Sequence, residues 1–319
     1  MHGHAHHAHG HAHGHAHGHG HGHAAAGGRH DVAFATGIAL NSAFVAVEFG
    51  YGIASHSTAL VADAIHNLGD VAGLALAWFA AWLARRAPGP RFTYGLRSST
   101  ILAALANAVM LLLACGGLAL EALQKLMTPS SVAGATVMVV ALVGVGVNAV
   151  TALFFLRDRR HDLNLNAAFM HMLADALISL GVAVSGYLIL RTGWVWLDPL
   201  VSFAIMTVVL LSTWRLLRDS ALLSLHAVPA HLSSAPVARF LEAQQGVSGV
   251  HDLHIWALST TEVALTAHLV MPLGHPGDDF LDELAHALRD EYAIHHATFQ
   301  VETGVAGHAC TLLEGAGRH

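Results

Sequence analysis

The sequence predicts an α-helical membrane protein, in which six transmembrane helices precede a small α+β domain. Three observations support this: an apolar composition, a series of long apolar segments, and a change to a soluble composition after Asp219. Hydrophobic residues make up 54% of the 319 residues and charged residues only 11%, and the mean hydropathy is +0.53. Water-soluble proteins carry about 25% charged residues. The composition therefore argues against a soluble enzyme.

Six segments are long and apolar enough to be transmembrane helices. The third and fourth contain no charged residue at all, and each exceeds the roughly 20 residues that cross a hydrocarbon layer about 30 Å thick. The only charged residue of the first segment is Glu48, and the charged residues of the sixth segment lie near its ends. The second and fifth carry His and Asp near their middle. The six predicted helices span residues 32–53, 60–83, 98–120, 132–156, 166–190 and 197–217.

Arginine and lysine residues are distributed unevenly among the connecting segments. Nine lie at the ends of the second, fourth and sixth apolar segments or just after them, and two lie in the alternate connectors. Because short cytoplasmic connectors carry the excess of positive charge in membrane proteins, both termini are expected in the cytoplasm. The nine are Arg85, Arg86, Arg91, Arg97, Arg157, Arg159, Arg160, Arg215 and Arg218, and the other two are Lys125 and Arg191.

The composition divides the chain into four parts. Residues 1–30 are built from His-Gly and His-Ala repeats and are predicted to be a disordered cytoplasmic tail, since they contain nothing to form a core. A transmembrane domain over 31–220, a cytoplasmic domain over 221–305 and a C-terminal tail over 306–319 follow. Two interpretations of the His-rich tail stay open: weak binding of divalent metals through neutral imidazoles, and a solvated arm without a role.

The charge and cysteine content exclude two further classes of protein. The formal net charge of -6 leaves no basic face for a nucleic acid. The only cysteines are Cys115, in an apolar segment, and Cys310, near the C-terminus. Two such residues cannot build a disulfide framework.

The predicted cytoplasmic domain has the element order α-β-β-α-β. Its strands are rich in β-branched residues and bounded by turn residues, and its second helix places apolar residues at helical spacing. The predicted elements are a helix over 237–244, strands over 250–257 and 263–270, a helix over 279–292 and a short strand over 298–302.

The two charged transmembrane segments repeat one pattern, a His followed four residues later by an Asp. The pairs are His66 with Asp70 and His171 with Asp175. Four residues are about one helical turn, so the imidazole and the carboxylate of each pair lie on one face. If the two faces meet, two nitrogens and two carboxylate oxygens surround one point, as in a tetrahedral divalent-metal site. The alternative is that each pair forms a neutralising hydrogen bond within its own helix.

Charge and donor type favour the metal site. Ionisable groups in the middle of a bilayer are costly and are usually functional. Two ionised carboxylates repel each other in a low-dielectric interior, whereas a dication with two neutral imidazoles brings the cluster to about zero formal charge. Mixed nitrogen and oxygen donors favour Zn²⁺, with Co²⁺ and Ni²⁺ as alternatives.

The other polar residues of the apolar segments have simpler predicted roles. Two roles are open for Asp63: it orients an imidazole of the metal site, or it anchors the helix near the membrane surface. Glu48 and Glu121 lie near predicted helix ends and are expected at the membrane interface. Hydrogen bonding between helices is expected of three asparagines, Asn41, Asn107 and Asn148.

Four motifs of the sequence are typical of one protein family. The first two are Ala-Leu-Val-Ala-Asp-Ala-Ile-His-Asn-Leu-Gly-Asp over 59–70 and Leu-Asn-Ala-Ala-Phe-Met-His-Met-Leu-Ala-Asp over 165–175. The others are Phe-Thr-Tyr-Gly over 92–95 and Val-His-Asp-Leu-His-Ile-Trp over 250–256. Together these motifs resemble signatures of the cation diffusion facilitator family, and more closely of its bacterial zinc-efflux branch. The resemblance extends over about residues 31–305.

The resemblance implies a homodimeric exporter in a bacterial inner membrane, which moves Zn²⁺ out of the cytoplasm in exchange for protons and needs no organic cofactor. The transport site would be formed by His66, Asp70, His171 and Asp175. In this family, His at the position of His66 accompanies a preference for zinc over cadmium.

The resemblance also implies a cytoplasmic domain that has a metallochaperone-like fold and mediates dimerisation. This domain would bind regulatory zinc through His251, His268 and Glu302, with His295 as a less certain ligand. His308 and Cys310 have suitable ligand chemistry but match no motif, and His254 is expected to be a surface residue.

The sequence alone leaves several alternative functions open. The exported ion could be Co²⁺, Ni²⁺ or Cd²⁺, or the chain could be a membrane-anchored metal sensor or buffer. An intramembrane zinc hydrolase is a further alternative, but such enzymes commonly carry His-Glu-x-x-His on one helix, and the sequence contains no such motif. A transporter without enzymatic activity is therefore expected.

Overall fold

A computed structural model describes residues 29–156 and 163–304. Six long helices are followed by a domain of two helices and three strands. The helices of the first part are α1 (Arg29–Ala54), α2 (Thr58–Ala84), α3 (Ser99–Met127), α4 (Gly134–Phe155), α5 (Leu163–Thr192) and α6 (Leu197–Ser224). The second part contains α7 (Ser234–Glu242), β1 (Gly249–Ala257), β2 (Val263–Val270), α8 (Asp278–Tyr292) and β3 (Ile294–Glu302).

Five of the long helices meet the length and hydropathy of membrane spans. They are Thr58–Ala84, Ser99–Met127, Gly134–Leu153, Ala168–Thr192 and Leu197–Ser224. Ala39–Ala54, within α1, is a shorter apolar helix. The chain is therefore an integral membrane protein with five candidate spans and one shorter apolar helix.

Small residues allow α4 and α5 to pack closely. A Cβ atom at Gly134 would lie 2.7 Å from the Gly186 carbonyl oxygen, and one at Gly186 would lie 2.7 Å from the Met138 nitrogen. Neither position tolerates a side chain without movement of the backbone. Close backbone approach through small residues is a common way to pair transmembrane helices, because burial from water does not drive their association.

The C-terminal domain has the predicted element order. Its sheet has the strand order β1-β2-β3, in which β1 and β2 are antiparallel and β2 and β3 are parallel. Leu241 of α7 and Leu288 of α8 are fully buried with Leu265 and Leu269 of β2 in one apolar core. β3 begins at Ile294, four residues earlier than predicted, because Ile294 pairs with Val263, the first residue of β2.

The two parts of the molecule touch where α3 begins. The Ser98 hydroxyl donates to the Leu258 carbonyl oxygen at 3.2 Å, and the Thr260 amide donates to the Thr100 hydroxyl at 3.1 Å. Arg97 forms an ion pair with Glu262 in the same turn between β1 and β2. The end of the helical bundle at which α2 finishes and α3 begins therefore faces the C-terminal domain.

Candidate metal centre

The four residues of the predicted quartet lie together between α2 and α5. His66 Nε2 is 3.6 Å from Asp175 Oδ1, and His171 Nε2 is 3.3 Å from Asp70 Oδ2. Within single helices, His66 Nδ1 is 4.0 Å from Asp70 Oδ2, and His171 Nε2 is 3.6 Å from Asp175 Oδ2. The distances between helices are as short as those within helices, so the pairs are not closed units on separate helices.

These distances fit a shared tetrahedral ion. Zinc bonds of about 2.0–2.2 Å place neighbouring ligand atoms roughly 3.3–3.6 Å apart at tetrahedral angles. Ligand atoms of His66, Asp70 and Asp175 already lie within 4.8 Å of one another. Small movements of side chains would bring two nitrogens and two oxygens to bonding distance from one point.

The quartet is open toward the end of the bundle that faces the C-terminal domain. Along α2, residues 58–64 are all buried, whereas residues 69–73, on the other side of His66, are partly exposed. The Asp175 side chain is only 1% exposed, and the His171 side chain, one turn nearer the open end, is 40% exposed. Access to the four ligands therefore differs between the two ends of the bundle.

Two residues to which the sequence analysis gave other roles, Asp63 and Glu48, are buried beside the quartet. Asp63 accepts hydrogen bonds from the Ser179 hydroxyl at 2.8 Å and from the Asn67 amide at 3.5 Å. Glu48 is 0% exposed, so its predicted place at the membrane interface is wrong. Asp63 is also 0% exposed, which contradicts a surface anchor. These residues are buried because α1 packs against α2. Hydrophobic periodicity within a single segment does not reveal this packing.

The remaining polar predictions have mixed outcomes. Glu121 is half exposed near the end of α3, where it lies 3.2 Å from the Lys125 ammonium group, in keeping with its interfacial prediction. Asn148 is fully buried, but its amide atoms have no hydrogen-bond partner among the described residues. The expected hydrogen bond from Asn148 to a neighbouring helix is thus absent from this conformation.

A second cluster of possible ligands lies on the sheet of the C-terminal domain. His251 Nε2 is 3.0 Å from Glu302 Oε2, and His268 Nδ1 is 2.9 Å from Glu302 Oε1. His251 and His268 are directly opposite on β1 and β2, and Glu302 ends the adjacent strand β3. One ligand atom from each of the three lies within 4.8 Å of the others. The structure therefore brings these three predicted residues together.

Local charge and hydrogen bonding stabilise the ionised form of Glu302. Burial raises the pKa of this carboxyl, but hydrogen bonds from His251 and Gln300 and the charges of the two histidines outweigh it and hold the pKa below its ordinary value. The Gln300 amide donates to Glu302 Oε1 at 2.8 Å. An ionised carboxylate is the form that binds a metal ion.

The structure separates His295 from this cluster, contrary to the prediction. His295 lies near the start of β3, where its Nδ1 accepts the Val263 amide at 3.5 Å. Glu302 is at the other end of the strand, roughly 23 Å away at about 3.3 Å per residue. Sequence motifs identified a His near β3 but could not show which end of the strand would face His251 and His268.

Asp252, which lies near the cluster, was missed by sequence reasoning, whereas His254 is exposed as predicted. Asp252 Oδ1 is 3.0 Å from His254 Nε2, and Asp252 Oδ2 is 3.4 Å from His268 Nε2. Strand alternation would place Asp252 on the face opposite to His251. A register irregularity between His251 and His254 and a positive φ of 51° at Asp252 break the alternation. A bulge of this kind has no clear signal in the sequence.

Several predicted residues lie outside the described part of the chain. They are the histidines of residues 1–28, the connector residues Arg157, Arg159 and Arg160, and the C-terminal residues His308 and Cys310. Cys115 is within the described part and is a free cysteine.

Comparisons with known families match both parts of the chain. Residues 35–223 match the family described as the cation efflux transmembrane domain. Residues 229–304 match the cytoplasmic domain of cation efflux proteins. The C-terminal α/β domain therefore corresponds to the cytoplasmic domain of this family.

Curated relatives match over nearly the whole chain. Zinc transporter ZitB of Escherichia coli is 36% identical over 283 residues, which are 88% of this chain and 90% of that protein. The metal cation efflux system protein CzcD of Cupriavidus metallidurans is 34% identical over 266 residues, with 83% and 84% coverage. A cadmium, cobalt and zinc/H(+)-K(+) antiporter of Bacillus velezensis is 30% identical over 293 residues, with 90% and 93% coverage. The chain therefore belongs to the cation diffusion facilitator family, in its zinc-efflux branch, and is a metal-efflux protein.

Proposed function

We propose that this protein exports divalent metal ions from the cytoplasm in exchange for protons, and that Zn²⁺ is its principal substrate. His66, Asp70, His171 and Asp175 bind the ion during transport. The observation that carries this proposal is the pairing of His66 with Asp175 and of His171 with Asp70 between helices, at 3.6 and 3.3 Å. An ion bound by both pairs at once would link α2 to α5 at this depth.

The donor set supports zinc as the substrate. Two imidazole nitrogens and two carboxylate oxygens in a fourfold arrangement are typical zinc ligands. Co²⁺, Ni²⁺ and Cd²⁺ are the alternative substrates, because nitrogen and oxygen donors also bind them. The names of the relatives support this range: two relatives are named for zinc or metal efflux and one for cadmium, cobalt and zinc.

The protein is proposed to have six spans, with both termini in the cytoplasm of a bacterial cell and the bundle in the inner membrane. The whole of α1 has 26 residues, which extend about 39 Å at about 1.5 Å per residue and so exceed the hydrocarbon thickness. An even number of spans places the N-terminal His-rich tail on the same side as the cytoplasmic domain. There the tail either concentrates metal beside the inward opening or has no role.

Export requires a second conformation in which the quartet opens to the opposite side. The buried residues 58–64 of α2 close that side in the structure described above. Transporters of this kind alternate between packings of their helices around a nearly fixed site. Movement of α5, together with its close partner α4, relative to α2 would expose the ligands on the outer side.

Protons compete with metal at the quartet. A metal ion binds only to neutral imidazoles and ionised carboxylates. An acidic exterior favours protonated ligands after metal release, and the return of these ligands to the inward-open state carries protons into the cell. The proton gradient thereby drives metal out against its own gradient.

The cytoplasmic domain is proposed to bind a regulatory zinc ion and to contribute to a homodimer. His251, His268 and Glu302 offer two nitrogens and a carboxylate on one sheet face, a donor set that suits zinc. When bound, the ion would neutralise Glu302 and link all three strands. The family description of this domain supports a dimer.

Two other functions are less well supported. A membrane-anchored sensor has no need of four ligands inside the bundle, where each charge is costly. An intramembrane hydrolase needs an open coordination position and a general base, whereas the quartet supplies a complete set of four donors. Neither a sensor nor a hydrolase would move metal across a membrane.

Metal uptake into proteoliposomes or everted vesicles tests the proposal. Labelled zinc should accumulate when a pH gradient is applied, and accumulation should fall to background in His171→Ala. His286→Ala, which removes an exposed imidazole from α8, is the matched control and should transport normally. Repeating the assay with Co²⁺, Ni²⁺ and Cd²⁺ ranks the substrates. Undiminished zinc flux in a folded His171→Ala protein would contradict the site assignment.

A further inference from the structure

Two buried carboxyl groups beside the quartet have no part in the metal site. Glu48 on α1 and Asp63 on α2 are both 0% exposed. The Glu48 carboxyl faces the Asp63 carboxyl and the Asn67 side chain. Asp63 lies one turn before His66 on α2, on the side where the bundle is closed. The pair therefore forms a second layer of acid, between the metal ligands and the outer end of the bundle.

The carboxyl pair and Asn67 together have more buried hydrogen-bond acceptors than donors. Asp63 receives the Ser179 hydroxyl and the Asn67 amide. Both carboxyl oxygens of Glu48 and the Asn67 carbonyl oxygen are buried and have no hydrogen-bond partner among the described residues. Buried polar atoms are normally paired, and an unpaired acceptor indicates a missing hydrogen. One proton on the carboxyl pair would supply it.

Electrostatic repulsion also indicates that the carboxyl pair holds one proton. Two facing carboxylates cannot both be ionised without strong repulsion in a low-dielectric interior, and such pairs hold a proton between them. A metal cation would be a poorer occupant, because the Ser179 hydroxyl and the Asn67 amide direct their hydrogens, and not lone pairs, toward Asp63. A proton is therefore the ion that fits this layer.

We propose that Glu48 and Asp63 form a proton-binding site, distinct from the metal ligands, that contributes to the exchange of metal for protons. This inference rests on the proposed function. When a dication occupies the quartet, its charge favours ionised carboxyls in the next layer, and the proton leaves Glu48 for the cytoplasm. After metal release to the outside, the pair takes up a proton from the outer side. Metal and proton thus exclude each other without sharing ligands.

Among the described residues, Asp63 is the titratable group that lies against the Glu48 carboxyl. His66 and Asp70 follow further along α2, and α5 contributes His171 and Asp175 on the far side of the quartet. The described part of α4, which also packs against α1, contributes the buried Asn148 but no titratable side chain. Among the side chains that the structure describes, no Lys or Arg lies against Glu48 to hold it ionised, so its charge depends on the proton and on the metal.

The test counts the protons released when zinc binds. Titration calorimetry of the full chain in two buffers of different ionisation enthalpy gives this number. In Glu48→Gln the count is expected to fall by about one proton per metal, while zinc affinity changes less than tenfold. Exchange of labelled for unlabelled zinc across proteoliposomes should persist, and accumulation driven by a pH gradient should fall at least tenfold. Asp63→Asn should show the same loss of one proton.

Glu121→Gln is the matched control, because it makes the same chemical change at an exposed position of α3 that touches neither site. Its proton count and its pH-driven uptake should equal those of the wild type. The wild-type protein supplies a measurement that does not depend on the folding of any variant. Its infrared difference spectrum should lose the band of a protonated carboxyl when zinc is added.

Three results would overturn the inference. The first is an unchanged proton count in folded Glu48→Gln together with an unchanged infrared band in the wild type. The second is loss of zinc binding in folded Glu48→Gln, which would make the pair a support for the ligands. The third is a dependence of transport on Na⁺ or K⁺ that Glu48→Gln removes, which would assign the layer to an alkali cation. Failure of the proposed function itself would appear separately, as normal zinc flux in His171→Ala.

Discussion

The Asp198 carboxylate, at the start of α6, caps the start of α2 at Thr58. Asp198 Oδ2 accepts the Thr58 amide and the Thr58 hydroxyl, both at 2.7 Å. Asp198 Oδ1 accepts the Ala59 amide at 3.3 Å and the Ser57 hydroxyl. A buried carboxylate satisfies free amides at a helix N-terminus and interacts favourably with the helix dipole. The helix that carries His66 and Asp70 is therefore tied to α6 at the closed end of the bundle.

Loss of this cap should destabilise the bundle. Asp198→Ala leaves buried donors without an acceptor, which should lower the free energy of unfolding by about 1–3 kcal/mol. Ser202→Ala, one turn along α6, is the control, because its buried hydroxyl has no hydrogen-bond partner among the described residues. Thermal unfolding in detergent measures both variants. Equal stability of the two would show that the cap contributes nothing.

Removal of one carboxylate charge from the quartet should weaken metal binding more than removal of a carboxylate charge at the protein surface. Asp175→Asn leaves three ligands and an uncompensated charge on the bound ion, so zinc affinity should fall at least about 100-fold. Asp290→Asn on the exposed face of α8 should leave affinity unchanged. Equilibrium binding to the purified protein provides the measurement. A small effect of Asp175→Asn would indicate that this carboxylate is not a ligand.

The histidines of the cytoplasmic domain should differ in their contribution to metal content. His268→Ala should remove zinc from the domain, because His268 lies beside both His251 and Glu302. His295→Ala should retain it, since His295 is at the opposite end of β3. Both variants are compared by metal analysis after equilibration with limiting zinc. Loss of the same amount of zinc from both would mean that the cluster rearranges when it binds metal.

The cytoplasmic domain should lose stability in acid, because Glu302 is more acidic in the folded protein than in the unfolded chain. A carboxyl with a lowered pKa stabilises the fold above its unfolded pKa, near 4.5, and this stabilisation is lost as the pH falls through the lower folded value. The protection of the β3 amides against hydrogen exchange, measured relative to the intrinsic exchange rate at each pH, should therefore decrease in that acidic range in the metal-free chain.

In Glu302→Gln the β3 amides should be less protected than in the wild type at neutral pH, and their protection should change less on acidification, because the variant has no carboxyl to protonate at this position. Gln300→Ala, which removes one donor to Glu302, should shift the acid transition of the wild type toward higher pH. An acid response of Glu302→Gln as steep as that of the wild type would assign the transition to another group.

Much of the architecture followed from local patterns. Apolar segment length predicted the transmembrane helices, because a helix must be long enough to cross the hydrocarbon layer. The order of the cytoplasmic elements followed from turn residues and periodicity. The His-x-x-x-Asp spacing placed each imidazole above its carboxylate, since one helical turn fixes that relationship within the chain.

What the sequence by itself determined is therefore the type and order of the elements and the face on which each ligand lies. Tertiary structure alone decided that α2 and α5 face each other across the quartet, that Glu48 is buried against Asp63, and that His295 stands apart from Glu302. It also turned Asp252 toward His268 through a bulge. The physical reason is that helical and strand periodicity orient a side chain relative to its own backbone. Its neighbours are set by packing between segments that are distant in the chain.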